Sequence, residues 1–222
     1  MTSASGPAGP ASVNCGNGAG HSPLSAGDVT LRTYEAAAED YRRERRNEIP
    51  PPLRALLERI VARVASGARC LEIGSGPGLE ADFLEGLGVR VTRTDAASAF
   101  VRMMRDAGHD ARRLDIRTDD LGGPWDLVLA NAVLLHLSRT EFAAAVRKVH
   151  EALASDGCFA LTLKEGDGEE WHTRKLGLPR HFTYWREPRL RAELDAAGWR
   201  VESLEHVAGL NDDWLYVVVR AA

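Results

Sequence analysis

Cysteine is scarce in this chain, and its absence removes one way of holding the fold together. The 222 residues include three cysteines, an odd number that does not suggest a disulfide framework. Cys15 lies in a stretch rich in Gly, Ala and Ser, while Cys70 and Cys158 each open an apolar run and read as small buried hydrophobes. No two cysteines have metal-ligand spacing, and the histidines are scattered without an H-E-x-x-H or Cys/His cluster, so no metal site is expected. The N-terminus lacks a basic n-region followed by an apolar stretch, which argues against a signal peptide. No apolar run reaches membrane-spanning length. The expectation is a reduced, cytoplasmic protein with no membrane partner. Positive charge is not in excess either. A formal net charge of −4 gives no overall electrostatic footprint for nucleic acid. Arg42, Arg43, Arg45 and Arg46 form the densest basic cluster, and on a helix such a cluster reads as a solvated face.

What is present suits one globular domain with an appendage. Hydrophobic residues make up 44% of the chain and charged residues 27%, the balance of an ordinary soluble protein able to bury a sizeable core. Residues 1–29 carry few large apolar groups, cannot offset their ordering entropy, and are expected to be disordered. Residues 30–222 are expected to fold. From Thr33 to Arg46 the residues favour a helix, with Tyr34, Ala38 and Tyr41 on one face. Pro50-Pro51-Pro52 interrupts it. A second helix is expected from Leu53 to Ala65, with Leu56, Leu57, Ile60 and Val64 in its apolar stripe.

Short apolar runs then alternate with helical patterns, the mark of βαβ units and a parallel sheet. The runs are Arg69–Ile73, Val89–Thr94, Ala111–Ile116, Leu127–Ala130 and Cys158–Leu163. Helices are expected over Leu79–Leu87, Ala97–Ala107, Thr140–Ala154 and Glu187–Ala197, with Gly88, Gly108, Gly157 and Gly198 just past their ends. The last runs, Arg200–Val207 and Trp214–Arg220, suit an antiparallel pair closing the sheet.

The first run leads into Gly74-Ser75-Gly76-Pro77-Gly78. Glycine lets a backbone turn sharply and approach a ligand closely, and the helix behind directs free N–H groups at an anion. The dinucleotide fingerprint G-x-G-x-x-G fails here, because its third glycine position is Leu79. The phosphate-loop signature fails as well, since no Gly-Lys-Ser/Thr follows. With Glu72 preceding it, Cys70-Leu-Glu-Ile-Gly-Ser-Gly-Pro-Gly78 instead resembles motif I of the class I S-adenosylmethionine (SAM)-dependent methyltransferases.

That resemblance, which covers roughly Thr33 to Arg220, implies a Rossmann-like three-layer α/β sandwich. Its sheet would be seven-stranded and mostly parallel, with the antiparallel pair at the C-terminal end, and SAM would be the cofactor. It implies that Glu72, Gly74, Ser75, Gly76 and Gly78 form the cofactor loop. Asp95, with Ala96 beside it, would accept from the ribose hydroxyls; its other role would be an N-cap for the helix starting near Ala97. Asp115 would accept from the adenine amino group, with Ile116 against the ring. Trp125-Asp126-Leu127-Val128-Leu129-Ala130-Asn131 resembles motif IV, which places Asn131 and Ala132 at the methionine end. The segment Tyr34-Glu35-Ala36-Ala37-Ala38-Glu39-Asp40-Tyr41 resembles the lid helix of small-molecule members, whose Tyr34 and Tyr41 would cover the cofactor; helical spacing alone would equally make them core residues.

The acceptor side is less marked. His136, His172 and His181 are the candidate general bases, because imidazole has a suitable pKa for an oxygen or protonated nitrogen acceptor, although a lone histidine on an apolar stretch such as His136 is usually a packing residue. The segment from Lys164 to Trp185 reads as a polar, aromatic-bearing loop forming the substrate wall. The Asn/Asp-Pro-Pro-Tyr/Phe motif of base-amine methyltransferases is missing, as is a Pro-Cys pair. Nucleic acid is therefore the less favoured partner. The expected acceptor is a small molecule or short modified peptide, as in natural-product biosynthesis. An RNA-modifying enzyme and a non-catalytic SAM-binding regulator are the alternatives.

Overall fold

The structure, a computed structural model, describes residues 24–45 and 48–222. Cys15, Arg46 and residues 1–23 of the expected tail lie outside the described residues. Where that tail enters the structure it is helical, contrary to expectation. Helix α1 spans Ala26–Glu44 and is started by a capping box in which the Ser25 hydroxyl accepts from the Asp28 N–H and the Asp28 carboxylate accepts from the Ser25 N–H. Helix α2 (Pro51–Val61) begins on prolines, which cost nothing in a first turn.

The core alternation follows: β1 (Arg69–Ile73), α3 (Leu79–Gly86), β2 (Arg90–Asp95), α4 (Ser98–Asp106), β3 (Ala111–Arg113), β4 (Trp125–Asn131), α5 (Arg139–Ala152) and β5 (Leu153–Lys164). A single 3₁₀ turn, Leu134–His136, lies between β4 and α5. The chain then makes a hairpin, β6 (Glu169–His172) and β7 (Arg180–Thr183), before α6 (Glu187–Ala196), β8 (Trp199–Ala208) and β9 (Asp213–Ala221). The seven-stranded sheet has the order β3-β2-β1-β4-β5-β9-β8, with β9 antiparallel to both β5 and β8 and every other pairing parallel.

Alternation along the central strands builds the three layers. On β1 and β4, Leu71, Ile73, Val128 and Ala130 face a core filled by Phe142, Val146 and Val149 of α5 and Leu190 and Leu194 of α6. Cys70, Leu127 and Leu129 face the opposite core, closed by Leu53, Leu56, Leu57 and Ile60 of α2 and Leu84 of α3. Both cysteines behave as expected, buried and free. Several details differ from the sequence pattern: α2 stops at Val61 and not Ala65, and β5 starts at Leu153, which puts Gly157 inside the strand and not past a helix end. Strand β3 stops at Arg113, so Leu114–Ile116 lies beyond the sheet. The expected substrate loop contains the β6–β7 hairpin, which forms a separate two-stranded sheet.

Candidate active site

The parallel strands end together at one edge of the sheet, and β1, β2 and β4 release their chains into a common cavity. The glycine loop forms one wall. Gly74 (φ +69°) and Gly76 (φ +54°) have left-handed backbones, and both line the cavity. A Cβ on Gly74 would lie 2.4 Å from Val133 Cγ2, so glycine is required there by packing as well as by φ. Ser75, Glu72 and Gly78 stand behind the loop, off the cavity wall. Ser75 ties the loop to β2, its N–H donating to the Thr94 carbonyl and its hydroxyl accepting from the Thr94 N–H. Glu72 is buried with Oε2 unpartnered, and burial reinforced by Glu80 raises its pKa. Gly78, at φ +94°, is the residue that starts α3.

Asp95, the last residue of β2, holds this geometry from the other side. Its Oδ2 accepts from the Gly76 N–H at 2.9 Å and its Oδ1 from the Ala97 N–H at 2.8 Å. Burial pushes its pKa up to about 6, against the lowering effect of those backbone donors. Ala96 beside it also lines the cavity.

The far end is closed by Phe100, Leu114, Asp115 and Ile116. Asp115 is not free. The Arg117 guanidinium grips it with Nε at 3.0 Å from Oδ1 and Nη2 at 2.8 Å from Oδ2. Burial alone would raise the Asp115 pKa, but the Arg117 contacts outweigh it and hold the carboxyl below its ordinary value. Arg117 also reaches Asp28 at 3.0 Å and the Ser25 hydroxyl at 3.3 Å, so it fastens the start of α1 over this end.

At the other end, β4 terminates in Asn131 and Ala132. Asn131 donates to Glu80 Oε1 at 3.0 Å and accepts from the Thr162 hydroxyl at 2.7 Å. Ala132 has φ +56°, a conformation costing an L-residue roughly 1–2 kcal/mol. The Thr162 hydroxyl receives its N–H at 2.9 Å. Ala132 and Asn131 border the first cavity and also a second, larger one of about 720 Å³.

Tyr34, Tyr41 and His136 stand on the same shared border. Tyr34 and Tyr41 project from α1 with ring centroids 5.5 Å apart, edge to face. The Tyr34 hydroxyl is 2.9 Å from His136 Nε2, and His136 Nδ1 is 2.7 Å from the His181 carbonyl. A carbonyl can only accept, so the proton is on Nδ1 and Nε2 accepts from Tyr34. Burial, with nearby Arg180 and Lys164, pushes the His136 pKa down to about 3 despite that carbonyl, so the ring is neutral.

The other two histidines part company. His172 lines the second cavity, 2.7 Å from the Tyr184 hydroxyl, and burial lowers its pKa. The ring of His181 reaches neither cavity. Strand alternation turns Arg180 and Phe182 inward, while His181 pairs with Glu169 at 3.2 Å and packs on Trp171. What His181 gives the site is its backbone.

Sequence reasoning overlooked Arg180, Arg117 and Glu80. Arg180 is made functional by a partner far away in sequence, and Arg117 by Asp115 two residues before it together with the distant Asp28. Glu80, two residues past the loop in the first turn of α3, was within reach of local reading. Among the described residues the one cluster with metal-ligand spacing, Asp82, Glu85 and His109, is exposed or half-exposed, and Arg93 pairs with both carboxylates. No helix among them is long and apolar enough to cross a membrane.

Residues 41–204 match a family model described as a methyltransferase domain. No curated protein matches the chain. Among solved structures it is similar to the 1,6-didemethyltoxoflavin-N1-methyltransferase of Burkholderia thailandensis, crystallised with 1,6-didemethyltoxoflavin and S-adenosylhomocysteine. The TM-score is 0.69 and identity 22%, over 91% of this chain and 93% of that one. A DhpI-SAM-HEP complex gives the same TM-score, 0.69, at 22% identity over 89% of this chain and 100% of that one. The CcbJ methyltransferase of Streptomyces caelestis gives 0.67 at 19% identity, covering 84% and 96%. The strand order, the glycine loop answered by Asp95, and the family match over most of the chain agree: the protein belongs to the methyltransferase-domain family, as a class I SAM-dependent methyltransferase.

Proposed function

We propose that the protein moves a methyl group from SAM to an oxygen or nitrogen of a small molecule or short peptide. The observation that carries this reading is the shared border. Two cavities meet at Tyr34, Tyr41, Asn131, Ala132 and His136, so a donor in one and an acceptor in the other face each other beneath α1.

In the first cavity the residues suit the donor. Asp95 presents a buried carboxylate to two ribose hydroxyls, and the side-chain-free faces of Gly74 and Gly76 admit the cofactor against the backbone. Ile116 and Phe100 take the adenine faces. Asp115, already gripped by Arg117, serves the adenine edge with its remaining lone-pair capacity. Asn131 and Ala132 take the methionine end. Bound SAM supplies an activated methyl on a positive sulfonium.

This chain's own contribution is then positioning and exclusion of water. Tyr34 and Tyr41 close the donor side, and the β6–β7 hairpin walls the acceptor side. His136 is held neutral and weakly basic. It fixes the Tyr34 hydroxyl at the border and is a poor sink for a whole proton at neutral pH. An acceptor atom that arrives already nucleophilic, as a free amine or an ionised oxygen, suits this site best.

Enclosure by α1 and the hairpin supports a small acceptor over RNA, and a second cavity sharing five lining residues with the first supports catalysis over a purely regulatory role. The small acceptor bound in the similar 1,6-didemethyltoxoflavin-N1-methyltransferase is consistent with a biosynthetic enzyme. Calorimetry with SAM and S-adenosylhomocysteine, followed by a screen of small acceptors for labelled methyl incorporation, tests the reading. Absence of cofactor binding at submillimolar concentration, or transfer to RNA alone, would overturn it.

A further inference from the structure

The second cavity carries more positive charge than its own carboxylates can balance. Arg45, Lys164, Arg174, Lys175 and Arg180 line it, against Glu48, Glu80 and Asp212. Two of the cations are answered: Lys164 by Asp212 at 2.8 Å and Arg45 by Glu80. Arg174, Lys175 and Arg180 remain; Glu48 on the lining, Glu44 near Lys175 and Glu170 on His172 beside Arg174 are all exposed, and none pairs with Arg180.

Arg180 is the telling member. It is 7% exposed, and among the described residues its polar partners are the Tyr34 hydroxyl at 3.2 Å and the Arg174 carbonyl at 2.6 Å. Its Nε is buried with no acceptor. The rings of Tyr34 and Phe182 flank the guanidinium at 5.7 Å and 5.2 Å. Residues 1–23, Arg46 and Asn47 include no Asp or Glu, so they hold no side-chain carboxylate in reserve. Two neutral hydrogen-bond acceptors need only a donor, which a glutamine could supply. A buried full charge is costly without an opposite one. The cofactor cannot provide it on balance, since a sulfonium and an ammonium outweigh one carboxylate.

We propose that the acceptor brings this charge: a small molecule bearing a carboxylate or phosphoryl oxyanion, seated on Arg180 with Arg174 and Lys175 beside it. The assignment rests on the methyltransferase reading of the site and narrows its substrate class. Because Arg180 donates to the Tyr34 hydroxyl, which reaches His136 on the shared border, the methylated atom lies within a few bonds of the oxyanion or belongs to it. A planar guanidinium can meet such a group with two parallel hydrogen bonds.

The test is equilibrium binding of benzoate, inorganic phosphate and neutral benzamide to the full chain saturated with S-adenosylhomocysteine. Benzoate or phosphate should bind in the millimolar range, and benzamide at least about tenfold more weakly. Which anion binds tells carboxylate from phosphoryl recognition. Arg180→Gln should abolish the preference while S-adenosylhomocysteine affinity stays within about threefold. Equal binding of benzoate and benzamide with no phosphate binding overturns the proposal, as does a preference that survives Arg180→Gln. A parallel loss of S-adenosylhomocysteine affinity would assign Arg180 to the cofactor and overturn it too. Should Arg180→Gln not fold, the exposed double change Arg174→Ala with Lys175→Ala must lower the preference by about threefold, and an unchanged one counts against the site. Failure of the wild-type chain to bind S-adenosylhomocysteine would sink the methyltransferase reading instead, and the anion comparison is then read in its absence.

Discussion

The hydroxyl of Tyr34 donates to Nε2 of His136 across 2.9 Å, joining residues 102 apart in the chain at the border of two cavities. Tyr34→Phe removes the donor and keeps the ring. We expect cofactor affinity to change little, turnover to fall, and stability to drop by about 1–3 kcal/mol for the unmet His136 acceptor and the Arg180 donor that loses its Tyr34 partner. Separate measurement of SAM affinity and kcat checks this; a loss confined to affinity would place Tyr34 wholly on the cofactor side.

Because His136 is neutral with a pKa pushed down to about 3, its ring should not titrate near neutrality. Its imidazole NMR shifts should stay flat from about pH 5 to about pH 8. A midpoint near that of free histidine would show a ring far more exposed to water than the one described.

Asp95 gives the cofactor step a pH dependence of definite sign. Its folded-state pKa is raised by burial from 3.8 to about 6. The folded chain therefore keeps this proton longer than the unfolded chain, and the stability it confers is full below the unfolded value and lost as pH rises through about 6. A ligand donating hydroxyl protons prefers the carboxylate. SAM affinity should accordingly weaken as pH falls through about 6. Asp95→Asn should bind at least about tenfold more weakly and without that pH step, read by calorimetry.

Two loop glycines should answer substitution differently. Gly74→Ala meets Val133 at 2.4 Å and keeps φ +69°, so strain and overpacking together should cost about 2–4 kcal/mol. Adding Val133→Ala should recover the packing share. Gly76→Ala finds its nearest neighbour at 3.9 Å, on the Tyr41 ring, and should cost only the backbone share, about 1–2 kcal/mol. Gly76→Val would push into the cofactor cavity and weaken SAM binding sharply. Denaturant melts of the four variants decide the ordering.

Arg117 holds Asp115 with one edge and the start of α1 with the other. Arg117→Ala should speed amide exchange over Ala26–Tyr34 and loosen SAM binding several-fold. Arg117→Lys should not restore either, because an ammonium cannot reproduce the two-pronged grip. Unaltered exchange in that turn would show that packing alone fixes α1.

Much of this was legible in the chain. Strand β1 falls at Arg69–Ile73 as the apolar run predicts, and the βα alternation yields the sheet. The loop was readable because its demands are local: positive φ at Gly74 and Gly76, and an acid at the next strand end. The start of α1 was missed, because its capping signal, Ser25-Ala26-Gly27-Asp28, is embedded in a stretch whose composition argues for disorder. The β6–β7 hairpin escaped because Glu169-Glu170-Trp171-His172 is mostly exposed and shows no clean alternation. Arg180 escaped for a different reason. Its charge matters through what it lacks, and a missing counter-ion is a property of the folded neighbourhood.

The hairpin's independence from the main sheet has an evolutionary consequence. The donor's walls are largely strand ends of the sheet itself, so changing them disturbs the core, whereas Arg180 and Phe182 sit on a two-stranded hairpin outside that sheet, tied to the rest by the His181 backbone at His136 and Thr30. Selection can recut the hairpin's side chains for a new acceptor while its backbone keeps its hold on His136. Divergence among descendants of this fold should therefore concentrate between Lys164 and Trp185.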